Sequence, residues 1–195
     1  MNKIKLIAII GKAGSGKDTV CKQLVKTYNY HKVIPYTTRP KRENEVEGED
    51  YFFLSLPDFL TQEHIDETIF NVATFNDWKY GYKMESFSQT EINVGVFNIT
   101  RLRDFVFNEA FDVQIVEICA NNKIRMLRQL NREEFPDVDE IVRRYTADNN
   151  DFALVGMEFD TMMFTNDNKN HLNYIIKSLS PEELLFGQNP ATLIY

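Results

Sequence analysis

The chain has 195 residues, 22 basic and 29 acidic, for a net charge of −7. That balance excludes a general nucleic-acid binder, although a local group of arginines can still hold a small anion. Two cysteines, Cys21 and Cys119, make neither a disulfide framework nor a metal site and suit a reducing cytosol. The first apolar run, Leu6 to Ile10, has five residues, too short for a signal core or a membrane span. A soluble, cytoplasmic protein without nucleic-acid or membrane partners is expected.

In chain order, Ile4 to Ile10 reads as a strand buried on both faces. Gly11 to Gly16 is a loop, and Lys17 to Tyr28 a helix with Val20, Cys21, Leu24 and Val25 on one side. Residues 33–92 differ in texture. Short aromatic-rich pieces, Val33 to Thr37, Tyr51 to Leu54, Ile69 to Phe75 and Lys79 to Tyr82, predict a small, partly antiparallel β subdomain. Strands are then predicted at Val94 to Ile99, Val113 to Cys119 and Thr161 to Phe164, followed by helices near 100–110, 121–132 and 169–179. Residues 123–151 are charged, with two helical stretches around Glu133 to Asp139. The alternation predicts an α/β fold with a parallel sheet flanked by helices. The stretch after Ser180 has no assigned role.

The strongest local signal is Gly11-Lys12-Ala13-Gly14-Ser15-Gly16-Lys17-Asp18-Thr19, between an apolar strand and a helix. That context defines a P-loop. Glycines let backbone N–H groups wrap phosphates, the helix N-terminus adds partial positive charge, and Lys17 reaches the outer phosphates. Asp18 stands where a Ser or Thr ligand to magnesium is usual, and Thr19 offers a hydroxyl one place later. Gly11, Ala13, Gly14, Ser15, Gly16, Lys17, Asp18 and Thr19 are candidate ATP contacts, with Asp18 and Thr19 the candidate Mg2+ ligands.

The second signal is Tyr36-Thr37-Thr38-Arg39-Pro40-Lys41-Arg42, then Glu45, Gly48, Asp50, Tyr51 and Phe53. Here the chain resembles the guanylate kinase family, which carries T-T-R-x-P-R-x-G-E-x-x-G-x-D-Y-x-F after its P-loop. Pro40-Lys41 replaces x-Pro and Asn44 replaces Gly. The resemblance covers residues 4–180 in layout and is dense at 11–19 and 36–53. It implies a P-loop NTPase fold with a core (1–32, 93–122, 152–180), an NMP-binding subdomain (33–92), a helical lid (123–151) and a tail (181–195).

The resemblance also implies an ATP-dependent, Mg2+-requiring kinase whose partners are small-molecule nucleotides. Thr38, Arg39, Arg42, Tyr51 and Tyr80 would hold the acceptor phosphate; two guanidinium forks and phenolic donors suit a dianion. Arg128, Arg132 and Arg144 would be lid arginines acting with Lys17 on the transferring group, and Asn166 would lie beside the adenine. At the base the family uses acids, but this chain places Asn71 and Thr100 there, with Asn98 for a further acid and Pro35 for a Ser. Loss of a carboxylate acceptor weakens guanine preference by about 1–3 kcal/mol. The resemblance implies GMP or dGMP as the acceptor, or, given Asn71 and Thr100, another (deoxy)nucleoside monophosphate. Two other readings stay open: a guanylate-kinase-like binding module without catalysis, and a P-loop kinase for a non-nucleotide phosphate. Intact Gly11, Gly16 and Lys17 favour catalysis over the binding module.

Overall fold

The computed structural model describes residues 2–43, 45–75, 77–132, 134–152, 159–184 and 186. Its centre is a five-stranded sheet in which every adjacent pair is parallel. The strands are β1 (Ile4–Ile10), β2 (His31–Lys32), β7 (Asn93–Val96), β8 (Phe111–Cys119) and β9 (Thr161–Thr165), in the order β2-β7-β1-β8-β9. Strand β1 explains why this sheet has two covered faces. Ile4, Leu6, Ala8 and Ile10 point into one core, Ile7 and Ile9 into the other, the period-2 alternation of a pleated strand. Helices α1 (Lys17–Tyr28) and α6 (Lys169–Ser178) cover the second core with Val20, Cys21, Leu24 and Ile175. Helix α3 (Leu102–Val106) covers the first with Leu102, Phe105 and Val106.

A second sheet has the order β4-β3-β6-β5, from β3 (Tyr36–Thr37), β4 (Phe52–Phe53), β5 (Ile69–Phe75) and β6 (Trp78–Lys83). Strands β3 and β4 run parallel, while β6 is antiparallel to both β3 and β5. Aromatic rings join the two sheets: Tyr82 stacks on Phe97 at 5.0 Å, and Phe105 meets Phe70, Tyr82, Phe97 and Phe111. These rings sit in the same core as Ile4 and Leu6.

Several expected boundaries move. The predicted piece Val33 to Thr37 pairs only at Tyr36–Thr37, and His31–Lys32 joins the main sheet instead. The strand expected to reach Ile99 stops at Val96, because Asn98 caps a 3-10 turn, Ile99–Arg101, with its own side chain. The helix expected over 100–110 is that turn plus the short α3. Helix α2 (Leu56–His64) has no counterpart among the sequence expectations, although Ser55 accepts from the Asp58 N–H and Pro57 sits in the first turn, a standard start signal. The charged segment forms α4 (Asn122–Leu130) and α5 (Val138–Asp151). Asn44, Glu133, residues 153–158 and most of the tail lie outside the described residues; within it, Leu184 and Phe186 pack on the second core.

Candidate active site

The loop after β1 is shaped by glycines at places no other residue fits. Gly11 has φ 147°, and a Cβ there would lie 2.3 Å from the Ile118 carbonyl oxygen of β8. Gly16 has φ 97°, and its Cβ would lie 2.4 Å from Asn166 Nδ2. Behind the loop, Arg128 Nη1 donates to the Gly14 and Ser15 carbonyls, both at 3.2 Å, and its Nη2 to the Asn166 carbonyl at 2.9 Å. Asn166 Nδ2 donates to Ser15 O at 3.0 Å. With their carbonyls held from behind, the loop peptides have a fixed orientation.

Lys17 Nζ donates to Gly11 O at 2.7 Å and Lys12 O at 3.3 Å. Burial lowers the Lys17 pKa, against the opposing pull of Asp18 and Asp148. Among the described residues this half-buried ammonium hydrogen-bonds only to neutral carbonyls, an arrangement suited to an anion. Ser15 Oγ is buried and has no hydrogen-bond partner among the described residues. These two unmet groups, and a loop too tight for side chains, fit a bound polyphosphate.

Lys17 lies in a cleft of about 1090 Å³. The same cleft is lined by Arg39, Arg42, Tyr51 and Tyr80. Arg39 is 6% exposed and its guanidinium is already committed: Nη2 donates to Glu45 Oε1 at 2.5 Å and Nη1 to Pro40 O at 2.9 Å. The same group lies 5.2 Å from the Tyr51 ring centroid and 5.9 Å from that of Phe53. Arg42 is different. Its backbone N–H binds Glu45 Oε2 at 2.9 Å, which leaves the exposed side chain free to turn into the cleft. Burial pushes the Tyr51 phenol up to about 12, so it remains a hydrogen-bond donor at neutral pH. Thr38 lies behind this wall, its Oγ1 accepting from Lys79 N at 2.9 Å.

Asn71, expected at the base, sits at a register shift in β5 with φ 54°. The bulge turns its side chain to the 3-10 turn, where Nδ2 donates to Arg101 O at 2.8 Å and Asp104 Oδ2 at 3.1 Å. Asn98 Oδ1 accepts from both the N–H and the hydroxyl of Thr100, each at 2.7 Å. Asn71 and Asn98 line the cleft; Thr100, spent on Asn98, does not. Both amide orientations are forced, because a carbonyl and a carboxylate only accept and a backbone N–H only donates.

Arg132, Arg143 and Arg144 face the cleft from the lid segment, whereas Arg128 stands behind the loop. Arg143 grips Glu140 with two bonds, 2.6 and 2.9 Å, and Arg144 Nε joins it at 2.6 Å. The bonds from Arg143, then Arg144, hold the Glu140 carboxyl down at about 2. Arg132 makes no ion pair among the described residues. Asp18 lines the cleft while Thr19, exposed on α1, does not. Among the described residues no group of three or more acidic, His or Cys side chains is placed to hold a metal ion. Two residues with structural weight carried no separate assignment in the sequence, Arg125 and Asp148. Arg125 is 1% exposed; its Nε donates to Ala13 O at 2.9 Å and its Nη2 to Asp148 Oδ2 at 2.8 Å. Arg125 falls one helical turn before Arg128, which placed it on the loop side of α4; nothing in the local sequence marks Asp148.

A family model described as guanylate kinase matches residues 3–180. The chain belongs to the guanylate kinase family. The guanylate kinase of Clostridium tetani is 44% identical over 59 residues, 30% of this chain and 28% of that protein. That of Thermotoga maritima is 35% identical over 94 residues, 48% of this chain and 44% of that protein. The human Disks large homolog 3 is 33% identical over 75 residues, 37% of this chain and 9% of that protein. The chain thus spans less than half the length of these relatives. The crystal structure of guanylate kinase from Anaplasma phagocytophilum superposes with a TM-score of 0.65 at 17% identity, over 95% of this chain and 89% of that one, a likeness of fold. No helix among the described residues is long and apolar enough to cross a membrane.

In this guanylate kinase family member, Arg125 ties α4 to α5 through Asp148, whose side chain is 19% exposed. We expect Arg125→Met to lower unfolding free energy by about 2–4 kcal/mol, somewhat below the cost of stranding a fully buried charge. Urea denaturation checks this.

Proposed function

We propose that the chain is an ATP-dependent nucleoside monophosphate kinase of guanylate kinase type, acting on GMP, dGMP or another (deoxy)nucleoside monophosphate in the cytoplasm. One observation carries the reading: a single cleft is lined both by Lys17 of the phosphate loop and by Arg42, Tyr51 and Tyr80. In the reaction an oxygen of the acceptor's phosphate attacks the γ-phosphorus of ATP, and the bond from that phosphorus to the β-phosphate's bridging oxygen breaks, releasing ADP. The acceptor phosphate has a second pKa of about 6 and needs no general base near pH 7. The protein's work is positioning and charge. Lys17 follows the charge onto the leaving β-phosphate, and Arg132 and Arg144 bear on the equatorial oxygens. Magnesium would arrive with the nucleotide, held chiefly by its phosphates with Asp18 at its side, and would neutralise developing charge.

ADP formation from Mg·ATP against all ribo- and deoxyribonucleoside monophosphates tests the reading. Retained ATP binding with no turnover on any of them would overturn it.

The fixed amides sharpen the acceptor. Asn71 leaves one acceptor, Oδ1, and Asn98 one donor, Nδ2, for a base edge. A keto oxygen and the adjacent ring N–H satisfy that pair, and neither Asn71 nor Asn98 offers a carboxylate to the 2-amino group of guanine. We expect GMP and IMP to differ less than about tenfold in kcat/KM, since a lost neutral hydrogen bond is worth about 0.5–1.5 kcal/mol. Side-by-side kinetics with the two acceptors measures this, and a preference for GMP of about 10³-fold, beyond what a neutral contact supplies, would show that an acid reads the amino group.

A further inference from the structure

The Ala13 peptide of the phosphate loop is gripped from both sides by the lid segment. Its carbonyl accepts from Arg125 Nε at 2.9 Å, and its N–H donates to Asp148 Oδ2 at 2.6 Å. The same Asp148 oxygen accepts from Arg125 Nη2 at 2.8 Å, which closes a ring of three hydrogen bonds. Alongside, Lys12 Nζ donates to Asn149 Oδ1 at 2.9 Å. Asp148 lines the cleft that holds Lys17. A carboxylate of α5 therefore occupies a backbone N–H of the glycine-rich loop that follows β1. That N–H has one hydrogen, so a carboxylate oxygen and a phosphate oxygen compete for it.

We infer that Asp148 is a positioning residue that sets ATP affinity: it holds the Ala13 N–H and yields it to a phosphate oxygen when ATP binds. The inference rests on the kinase reading only in taking ATP as the ligand.

Asp148 has two opposing effects, ordering the loop and competing with the nucleotide. The ordering is redundant. Without Asp148, Arg125 Nε still holds the Ala13 carbonyl, Arg128 holds those of Gly14 and Ser15, and Asn166 adds a second bond to Ser15. The competition is not redundant, and repulsion between the carboxylate and a triphosphate acts in the same direction. Competition therefore dominates. Since Asp148 belongs to the helix that carries Arg143 and Arg144, the exchange also releases α5 from the loop as the triphosphate arrives. Lid position is thereby coupled to ATP before any acceptor is present.

The test is calorimetric binding of Mg·ATP to the full chain without acceptor. Asp148→Asn should bind about tenfold more tightly, the effect of removing one like charge at partly screened range. Asp148→Glu, which keeps the charge, should bind no more tightly than the parent. The amide NMR spectrum of the unaltered protein gives a second readout that needs no variant to fold: the Ala13 N–H resonance should shift strongly on adding Mg·ATP. Unchanged or weaker binding by Asp148→Asn, or an Ala13 resonance indifferent to Mg·ATP, would overturn the inference. Binding is read without turnover, so a chain that binds ATP in this way but phosphorylates no nucleotide would sink the kinase reading and leave this one standing.

Discussion

Lys17→Met should reduce kcat by about 10²–10³-fold, the usual loss for one charge-stabilising donor in a phosphoryl- or acyl-transfer site. The side chain has no alternative function that would mask the effect. It is half-buried, its pKa is lowered by desolvation, and among the described residues it hydrogen-bonds only to the Gly11 and Lys12 carbonyls. Those carbonyls keep the ammonium pointed along the loop. As charge moves onto the β-phosphate during transfer, the ammonium can follow it without crossing water. Methionine keeps the unbranched shape and removes the charge and donors. Steady-state ADP formation at saturating substrates gives kcat, and a thermal melt of the variant shows whether the fold is retained. An unchanged kcat would mean that the loop binds phosphate without taking part in the chemistry.

The second large effect is on the acceptor. Arg42→Ala should raise KM for the acceptor by about 10–10²-fold, the worth of one or two charge-assisted hydrogen bonds, and leave KM for ATP nearly unchanged. Arg42 is singled out over Arg39 because of what each guanidinium is already doing. Arg39 is tied to Glu45 and Pro40 and flanked by the Tyr51 and Phe53 rings. Its replacement would strand Glu45 and disturb the wall itself. Arg42 hydrogen-bonds Glu45 only through its backbone N–H, which alanine keeps, and its side chain adds just a charge interaction with that carboxylate. Initial rates with each substrate varied in turn separate the two constants. Equal rises in both would place Arg42 outside the acceptor site.

The core of this fold was legible because its signals are local. Strand β1 is an unbroken apolar run, and the loop after it needs glycines where backbone and carbonyl crowd. The acceptor-side arginines were legible as residues but not as roles. Nothing in Thr37 to Arg42 says that Arg39 is consumed by Glu45 while Arg42 is not; that division depends on how the loop folds back. Thr100 and Arg128 show the same gap. Thr100 turns its hydroxyl to Asn98, and Arg128 turns to carbonyls behind the loop. Asn71 owes its orientation to a bulge, which single-strand periodicity does not reveal. Asp148 meets Ala13 across 135 positions of sequence, and no short pattern records a pairing at that distance.

The aromatic cluster between the two sheets has a consequence for the chain as a folding unit. Tyr82 and Phe70 belong to the acceptor-side sheet, Phe97 and Phe105 follow the main one, and all four share a core with β1. Neither sheet could keep its buried area if the other came apart, so residues 33–92 should not survive excision as a free-standing module. The single tryptophan, Trp78, reports on the smaller sheet, while far-UV circular dichroism reports mainly on helices around the larger. Their urea transitions should coincide, as two-state unfolding requires. An earlier tryptophan transition would mean that the ring cluster is a seam, along which the acceptor wall can be lost while the phosphate loop stays folded.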